Sequence, residues 1–306
     1  MNVGDFELIE TVPDFSDSET IAFAMLRPWI DVGRVGTVAL NKLQENLEAK
    51  EIGKLLKPGK YFDFTRYRPR AQVKNGQRVL NVPNTYVYHC YDPTLKKNLL
   101  FLHIREPHQN AEEYVDSILA LFKFANVSEF VRIGGMYDSV PHTRPILVTG
   151  SMKPEQEKAA SDVLKARKST YQGPTSILNL VNQHFSENNI PNSTLMAHLP
   201  QYVQLDRDHL GAARLLEVLC AVYGFSDEII NKDFGIQQYK DIDKSIDYTG
   251  EVGTLIKQLE TYYDRVLSKT AESDEKDDAG TSSVNLSADV EDFLNQMGEK
   301  FENDPE

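Results

Sequence analysis

The segment from residue 21 to residue 47 opens with an unbroken apolar run, Ile21-Ala22-Phe23-Ala24-Met25-Leu26. A glycine-containing turn follows at Asp31-Val32-Gly33-Arg34-Val35-Gly36, and an amphipathic stretch extends from Thr37 to Leu47. A short apolar run is typical of a strand that is buried on both faces, whereas apolar residues at helical spacing are typical of a helix that packs against a sheet. The segment therefore predicts a strand, a turn and a helix in succession.

The same alternation recurs further along the chain. Apolar residues predict a second strand at Leu99–Ile104, and helical spacing predicts a helix at Ala111–Ala125. Two more strands are predicted at Phe130–Ile133 and Thr194–Leu199, with a helix at Ile177–Phe185 between them. Alternating strands and helices are typical of a sheet with helices on its faces, so the sequence predicts an α/β fold.

The segment from Tyr61 to Tyr91 has a different pattern. Its Asn75-Gly76 pair is favoured at the tip of a tight β-hairpin. Further on, Tyr86 and Tyr88 alternate with Val87 and His89, which is typical of a strand. We expect antiparallel strands here that continue the sheet, so the predicted sheet is mixed rather than purely parallel.

The C-terminal third of the chain has no further strand pattern. Helices are predicted at Leu210–Tyr223 and Ile242–Leu267, and residues 270–283 contain no large apolar residue, which is typical of a disordered linker. We therefore expect an α/β domain at 1–268 that includes a helical segment at 208–268, an acidic linker at 269–284, and an amphipathic tail helix at 285–303.

The predicted tail helix combines an apolar stripe with a strongly acidic background. Residues 271–306 contain 12 acidic and 2 basic residues, and the centre of the stripe consists of Val290, Phe293, Leu294 and Met297. An isolated helix of about 15 residues is marginal in water. We expect this stripe either to bind a groove on its own chain, a neighbouring subunit or another protein, or to fray as a solubilising tail.

The charge and the composition exclude several classes of protein. The 306 residues have a formal net charge of −13, of which −10 lies in residues 271–306, so the basic surface that nucleic acid requires is missing. No apolar run approaches the roughly 20 residues that cross a bilayer, and the N-terminal residues do not resemble a signal peptide. Only Cys90 and Cys220 occur, and there is no HExxH motif, so neither a disulfide framework nor a metal site is supported. We expect a cytoplasmic protein without metal or cofactor.

Polar residues cluster after the predicted strands and in two loop motifs, 61–70 and 141–145. In an α/β sheet, ligands bind beyond the carboxyl ends of the strands, and arginine side chains bind carboxylates or phosphates. The candidate site residues are Asp31, Arg34, Asp63, Arg66, Arg68, Glu106, His108, Asp138, His142 and Arg144. They form either ion pairs that brace irregular loops or a site for an anionic ligand.

Four separated motifs resemble the PAC2 family, the proteasome assembly chaperone 2-like proteins. They are Trp29–Gly36, Phe62–Pro69, Val140–Pro145 and Tyr171–Thr175, in the order in which the family has them. The resemblance implies a mixed α/β core like that of purine nucleoside phosphorylases, with C-terminal helices and assembly into homo-oligomers. It also implies a protein-binding role, because eukaryotic relatives act by binding proteasome subunits.

Two functions therefore remain as hypotheses. The first is a non-enzymatic, oligomeric PAC2-type protein that binds other proteins as an assembly chaperone or scaffold. The alternative is a small-molecule enzyme or a nucleotide- or nucleoside-binding protein. In that alternative, Arg66, Arg68, His142 and Arg144 would hold an anion, and the proton acceptor would be Asp63, Glu106 or Asp138.

Overall fold

The computed structural model describes residues 1–9, 12–74, 76–166 and 173–273, with side chains as far as residue 265. The predicted tail helix with its apolar stripe lies outside the described residues. The chain divides into two compact units. The first consists of Met1–Met136, Ile146–His198 and Leu205–Ile236, and the second of Tyr137–Pro145, Leu199–Gln204 and Gln237–Glu306.

The strands and helices alternate much as the sequence predicts. The strands in the described ranges are β1 (Asn2–Val3), β2 (Phe6–Leu8), β3 (Thr20–Arg27), β4 (Lys50–Leu55), β5 (Arg70–Lys74), β6 (Gln77–Asn81), β7 (Tyr86–Asp92), β8 (Lys97–Arg105), β9 (Val127–Asp138), β10 (Leu147–Ser151), β11 (Leu164–Ala166) and β12 (Asn192–Pro200). The α-helices are α1 (Val35–Asn46), α2 (Ala111–Phe124), α3 (Pro154–Ala159), α4 (Ile177–Glu187), α5 (His209–Tyr223), α6 (Asp233–Ser245) and α7 (Glu251–Ser273).

The main sheet of the described chain is mixed, which confirms the predicted fold class. Its strand order is β1-β2-β4-β7-β8-β3-β9-β12-β10-β11. The central strand β3 pairs in parallel with β8 on one side and with β9 on the other. Beyond β8 the sheet continues with β7, which pairs antiparallel with β8, and with β4, which pairs antiparallel with β7. The carboxyl ends of β8, β3 and β9 therefore lie along one edge of the sheet.

The hairpin at residues 70–81 does not continue this sheet, which corrects one prediction. The strands β5 and β6 pair only with each other and form a separate two-stranded sheet. Gly76 at its tip has a φ of +77°, the left-handed conformation that a tight turn requires. Every residue of β5 and β6 is exposed, because neither face of the hairpin packs on the described part of the chain. The prediction holds for β7, which does join the main sheet.

A hydrophobic core lies between one face of the sheet and the helices α2 and α4. Phe130 of β9 packs between Phe122 of α2 and Phe185 of α4, with ring centroids 5.2 and 5.3 Å away. Each such ring contributes about 1.5 to 3 kcal/mol through burial. The sheet residues of this core include Ala22, Ala24, Leu26, Leu100, Leu102 and Ile104. On the opposite face, Phe23 stacks on Phe101 at 5.7 Å.

The predicted helix at Ile242–Leu267 is two helices, α6 and α7, which corrects a second prediction. The break lies at residues 246–250, where the Asp247 carboxylate accepts hydrogen bonds from the Thr249 amide and hydroxyl at 2.9 and 2.6 Å. Such an aspartate turn competes with helical hydrogen bonding. The helix α7 ends at Ser273, inside the segment that composition predicts as a linker.

Two further sequence-based expectations concern the membrane and the cysteines. Within the described ranges, no helix has both the length and the apolar character needed to cross a membrane. Cys90 and Cys220 are not bonded to each other. Burial raises the pKa of each thiol to about 12, so both are protonated at neutral pH.

Candidate functional site

A polar pocket lies beyond the carboxyl end of β8, in the first unit. Its volume is about 430 Å³, and three of the predicted site residues, Asp63, Arg66 and His108, line it. The other lining residues are Gly59, Phe62, Phe64 and Gln109. The structure thus brings together one of the two loop motifs and a residue that follows a strand.

Hydrogen bonds between the two loops hold the pocket in shape. The His108 amide donates to the Tyr61 carbonyl at 2.9 Å, and the Asp63 amide donates to His108 Nδ1 at 3.1 Å. The Gln109 side chain donates to the Lys60 carbonyl at 3.1 Å. Tyr61 and Phe62 are buried beneath the loop and anchor it in the core. The pocket is therefore formed before any ligand binds.

Two of the residues that line the pocket, His108 and Arg66, carry hydrogen-bond donors. Because Nδ1 of His108 accepts an amide proton, the neutral ring carries its own proton on Nε2. Arg66 is exposed, and its guanidinium forms no ion pair with any residue in the described ranges. A donor on His108 and a free cation on Arg66 suit an anionic group such as a carboxylate or a phosphate.

Asp63 is committed to the shape of its own loop. One oxygen of its carboxylate accepts hydrogen bonds from the Thr65 amide and hydroxyl, at 2.8 and 2.7 Å. These bonds lower the pKa of Asp63, with smaller contributions from His108 and Arg66. A carboxylate with a lowered pKa remains ionised at neutral pH and is a weak proton acceptor.

Asp31 is buried at the start of α1 and does not line the pocket. Its carboxylate accepts hydrogen bonds from the Thr37 amide at 3.0 Å and from the Thr37 hydroxyl. Burial raises the pKa of Asp31, although the bonds from Thr37 oppose that change. Arg34 precedes the helix with a φ of +50°, and its amide donates to the Asp31 carbonyl at 2.9 Å. Asp31 therefore caps the first turn of α1.

Glu106 and Arg68 are also placed apart from the pocket lining. The Glu106 carboxylate accepts a hydrogen bond at 3.0 Å from the amide of Ile177, the first residue of α4. Its other oxygen is buried without a partner in the described part of the chain, and burial raises the pKa of the group. Arg68 is an exposed residue of the loop before β5.

Asp138, His142 and Arg144 belong to the second unit. Asp138 is the last residue of β9 and not part of a following loop, and its carboxylate accepts a bond from the Ser139 amide at 2.7 Å. His142 is buried between the Tyr202 hydroxyl at 2.8 Å and Asp243 at 3.3 Å, and burial lowers its pKa.

Arg144 is fully engaged within the same unit. Two of its nitrogens bind the two carboxylate oxygens of Asp264 at 2.9 Å, and a third binds Glu260 at 2.9 Å. Such a two-point arginine–carboxylate contact fixes the loop 141–145 on α7.

His103 is a half-buried titratable group that the sequence patterns do not single out. It lies on β8, with its Nε2 atom 2.9 Å from the side-chain oxygen of Gln44. Burial lowers its pKa to about 4, with contributions from Arg27 and Arg105. A histidine in the middle of an apolar strand is the signal that could have indicated it.

Replacing His103 with glutamine should reduce the loss of stability in acid. The folded state holds the pKa at about 4, against an ordinary value of 6.5, so between these values the unfolded state binds more protons. Protonation of His103 therefore lowers the free energy of unfolding by about 3 kcal/mol as the pH falls from above 6.5 to 4. Urea unfolding of the wild-type protein and of H103Q, each at pH 7 and pH 4, measures this loss. Equal losses in the two proteins would show that His103 does not titrate in this way.

The fold and the pocket together define a mixed α/β protein with an arginine- and histidine-lined loop site. The PAC2 family profile matches residues 25–229, so the chain belongs to the PAC2 family. The motifs at Trp29–Gly36, Phe62–Pro69 and Val140–Pro145 lie inside this match. This confirms the resemblance that the motifs indicate. Comparison of the sequence with curated proteins gives no significant match.

Solved structures of similar fold come from bacteria and archaea. A PAC2 family protein from Streptomyces avermitilis has a TM-score of 0.66 at 21% identity, covering 78% of this chain and all of the other. A proteasome-assembly chaperone homologue from Mycobacterium tuberculosis has a TM-score of 0.64 at 23% identity, and the match covers 77% of this chain and 99% of the other. Pyrococcus furiosus PbaB, an archaeal proteasome activator, has a TM-score of 0.59 at 14% identity, and the match covers 79% of this chain and 97% of the other. At these identities the likeness establishes the fold.

Proposed function

We propose that this chain is a non-enzymatic, cytoplasmic protein that binds another protein as an assembly factor or scaffold, and that it forms homo-oligomers. Family membership supports the proposal, because similar structures include a proteasome-assembly chaperone homologue and a proteasome activator. The observation that carries it is the exposed hairpin formed by β5 and β6.

The hairpin carries apolar side chains that are mostly exposed on the described chain. Val73 is 75% exposed and Leu80 is 61% exposed, on a two-stranded sheet with no packed face. An isolated two-stranded hairpin is marginally stable in water, and exposed apolar residues that lie together mark interaction sites. The hairpin therefore has the properties of an arm that is stabilised when it contacts a partner.

The charge of the hairpin indicates the kind of partner. Residues 64–91 contain no acidic residue, whereas the chain as a whole has a net charge of −13. Arg70, Lys74 and Arg78 lie on the hairpin itself. A basic surface around apolar anchors is complementary to an acidic protein surface with an apolar centre. We assign the hairpin to a protein partner that presents such an acidic surface.

The geometry of two of the three candidate proton acceptors, Asp63 and Glu106, supports the non-enzymatic role over the enzymatic alternative. Asp63 is held ionised by Thr65, and Glu106 is bound to the start of α4. A general base needs both access to the substrate and a pKa near the working pH. Neither carboxylate combines the two.

Changing Val73 and Leu80 to serine should weaken partner binding without unfolding the protein. Because both side chains are mostly exposed, we expect the free energy of unfolding to stay within about 0.5 kcal/mol of wild type. We also expect the sedimentation coefficient of the homo-oligomer to be unchanged, while affinity for the acidic partner falls at least about tenfold. Leu180, an exposed residue of α4, provides the matched control as L180S. An affinity for the partner that V73S/L80S retains in full would refute the role of the hairpin.

A further inference from the structure

Two arginines that the candidate list does not contain meet at the carboxyl ends of neighbouring strands. Arg27 is the last residue of β3 and Arg105 is the last residue of β8. They are register partners across the parallel pair, so both side chains leave the same face of the sheet from adjacent positions. This is the edge at which α/β sheets bind their ligands.

The described residues provide little counter-charge for this pair. Arg27 approaches the Asp31 carboxylate only to 3.7 Å, and that carboxylate already accepts two hydrogen bonds from Thr37. The Arg105 guanidinium lies 5.4 Å from the ring centre of Tyr67. It forms no hydrogen bond or ion pair with any residue in the ranges that the structure describes.

The surroundings of the pair are more positive still. Burial lowers the pKa of Arg27, and Arg105, Arg34 and Arg70 lower it further by repulsion, against Asp31 alone. Glu106 follows Arg105 directly but is bound to the Ile177 amide. Half-buried like charges are costly unless a counter-ion joins them. The two nearby carboxylates, Asp31 and Glu106, already accept hydrogen bonds from Thr37 and Ile177, so this positive region favours a bound anion.

We propose that Arg27 and Arg105 bind the phosphate group of a small phosphate ester. A phosphate has the charge and the oxygen geometry that two guanidinium forks recognise. The loop pocket is next to this position, because the Tyr67 ring that faces Arg105 also contacts the His108 ring at a centroid distance of 4.3 Å. The organic part of the ester would occupy the pocket. This site does not depend on the protein-binding role.

The test uses thermal unfolding of the full chain with adenosine monophosphate, glucose 6-phosphate, inorganic phosphate or succinate, each against sodium chloride of equal ionic strength. For the wild-type protein we expect at least one phosphate ester to raise Tm by about 2 to 4 °C, with succinate equal to the chloride control. A rise with inorganic phosphate alone would indicate an adventitious ion and would overturn the proposal.

Variants separate binding from a structural role. In R27Q/R105Q the shift should vanish, while Tm without ligand should equal or exceed that of wild type, because two half-buried charges that repel each other have been removed. The exposed Arg68, as R68Q, is the matched control and should keep the full shift. R105K keeps the positive charge but loses the planar guanidinium, which can donate two parallel hydrogen bonds to a phosphate. It should weaken binding of the phosphate ester about tenfold in equilibrium dialysis. A full shift in R27Q/R105Q, or no shift in wild type with any ester, would overturn the proposal.

Discussion

Replacing Glu129 with alanine is expected to lower the free energy of unfolding by about 3 to 5 kcal/mol. Glu129 is 5% exposed in β9, and its carboxylate accepts bonds from Tyr223 at 2.6 Å, Gln156 at 2.8 Å and Lys153 at 2.9 Å. Burial alone would raise the pKa of Glu129, but these bonds outweigh it and lower the pKa. Alanine would leave three polar partners around an apolar gap.

The neutral variant Glu129→Gln provides the control. Glutamine keeps the volume and one acceptor oxygen but removes the charge that pairs with Lys153, so we expect a loss of about 1 to 2 kcal/mol. Urea unfolding at pH 7 measures both variants. If alanine and glutamine cost the same, the hydrogen-bonded network has no energetic importance beyond the charge.

The second large effect is expected for Gly134→Ala, which should cost about 3 kcal/mol. A Cβ atom on Gly134 would lie 2.3 Å from the carbonyl oxygen of Ile30. That same carbonyl accepts the Gly135 amide at 2.9 Å, and Asp31 bridges to Gly135. The substitution would push away the loop that places Asp31 at the start of α1.

Gly250 is the matched control for this prediction. A Cβ atom there would meet nothing nearer than 3.8 Å, so Gly250→Ala should change stability by less than about 0.5 kcal/mol. Chemical unfolding of both variants gives the comparison. Similar effects at the two positions would mean that the close approach of Ile30 to β9 does not constrain the fold.

The central α/β elements could be predicted from sequence because their apolar runs are uninterrupted. The predicted strand Leu99–Ile104 lies inside β8, and the predicted helix Ala111–Ala125 matches α2 within one residue. The strand β4 was missed because Lys50–Leu55 has only two large apolar residues, Ile52 and Leu55, among charged ones. Such a segment shows neither an apolar run nor strict alternation.

The isolation of the hairpin could not be predicted from its sequence. The Asn75-Gly76 pair indicates a turn, but alternation in Arg70–Lys74 and Gln77–Asn81 suits a packed strand as well as an exposed one. The exposure of Val73 on the described chain is a tertiary property. The break between α6 and α7, in contrast, has a local signal in the turn-forming residues Asp247–Gly250. The apolar stripe on both sides of this turn nevertheless led to the prediction of one continuous helix.

The candidate site was predicted in part for a physical reason. Asp63, Arg66 and His108 meet because one loop motif and one strand end share an edge of the first unit. Arg27 and Arg105 were not predicted, since each is the final residue of an apolar strand and only the strand register shows them to be neighbours. Asp138, His142 and Arg144 fall in the second unit, and their roles stay a prediction.

The most direct test of the central claim is photo-crosslinking from the hairpin in living cells. A photoreactive residue at position 73 should give a discrete adduct, and its mapped peptide should come from an acidic surface of a different protein. The adduct should disappear in R70Q/K74Q/R78Q, and position 180, which is also exposed, should not give it. Crosslinks at position 73 that join only copies of this chain, or none beyond those at position 180, would contradict the assembly role.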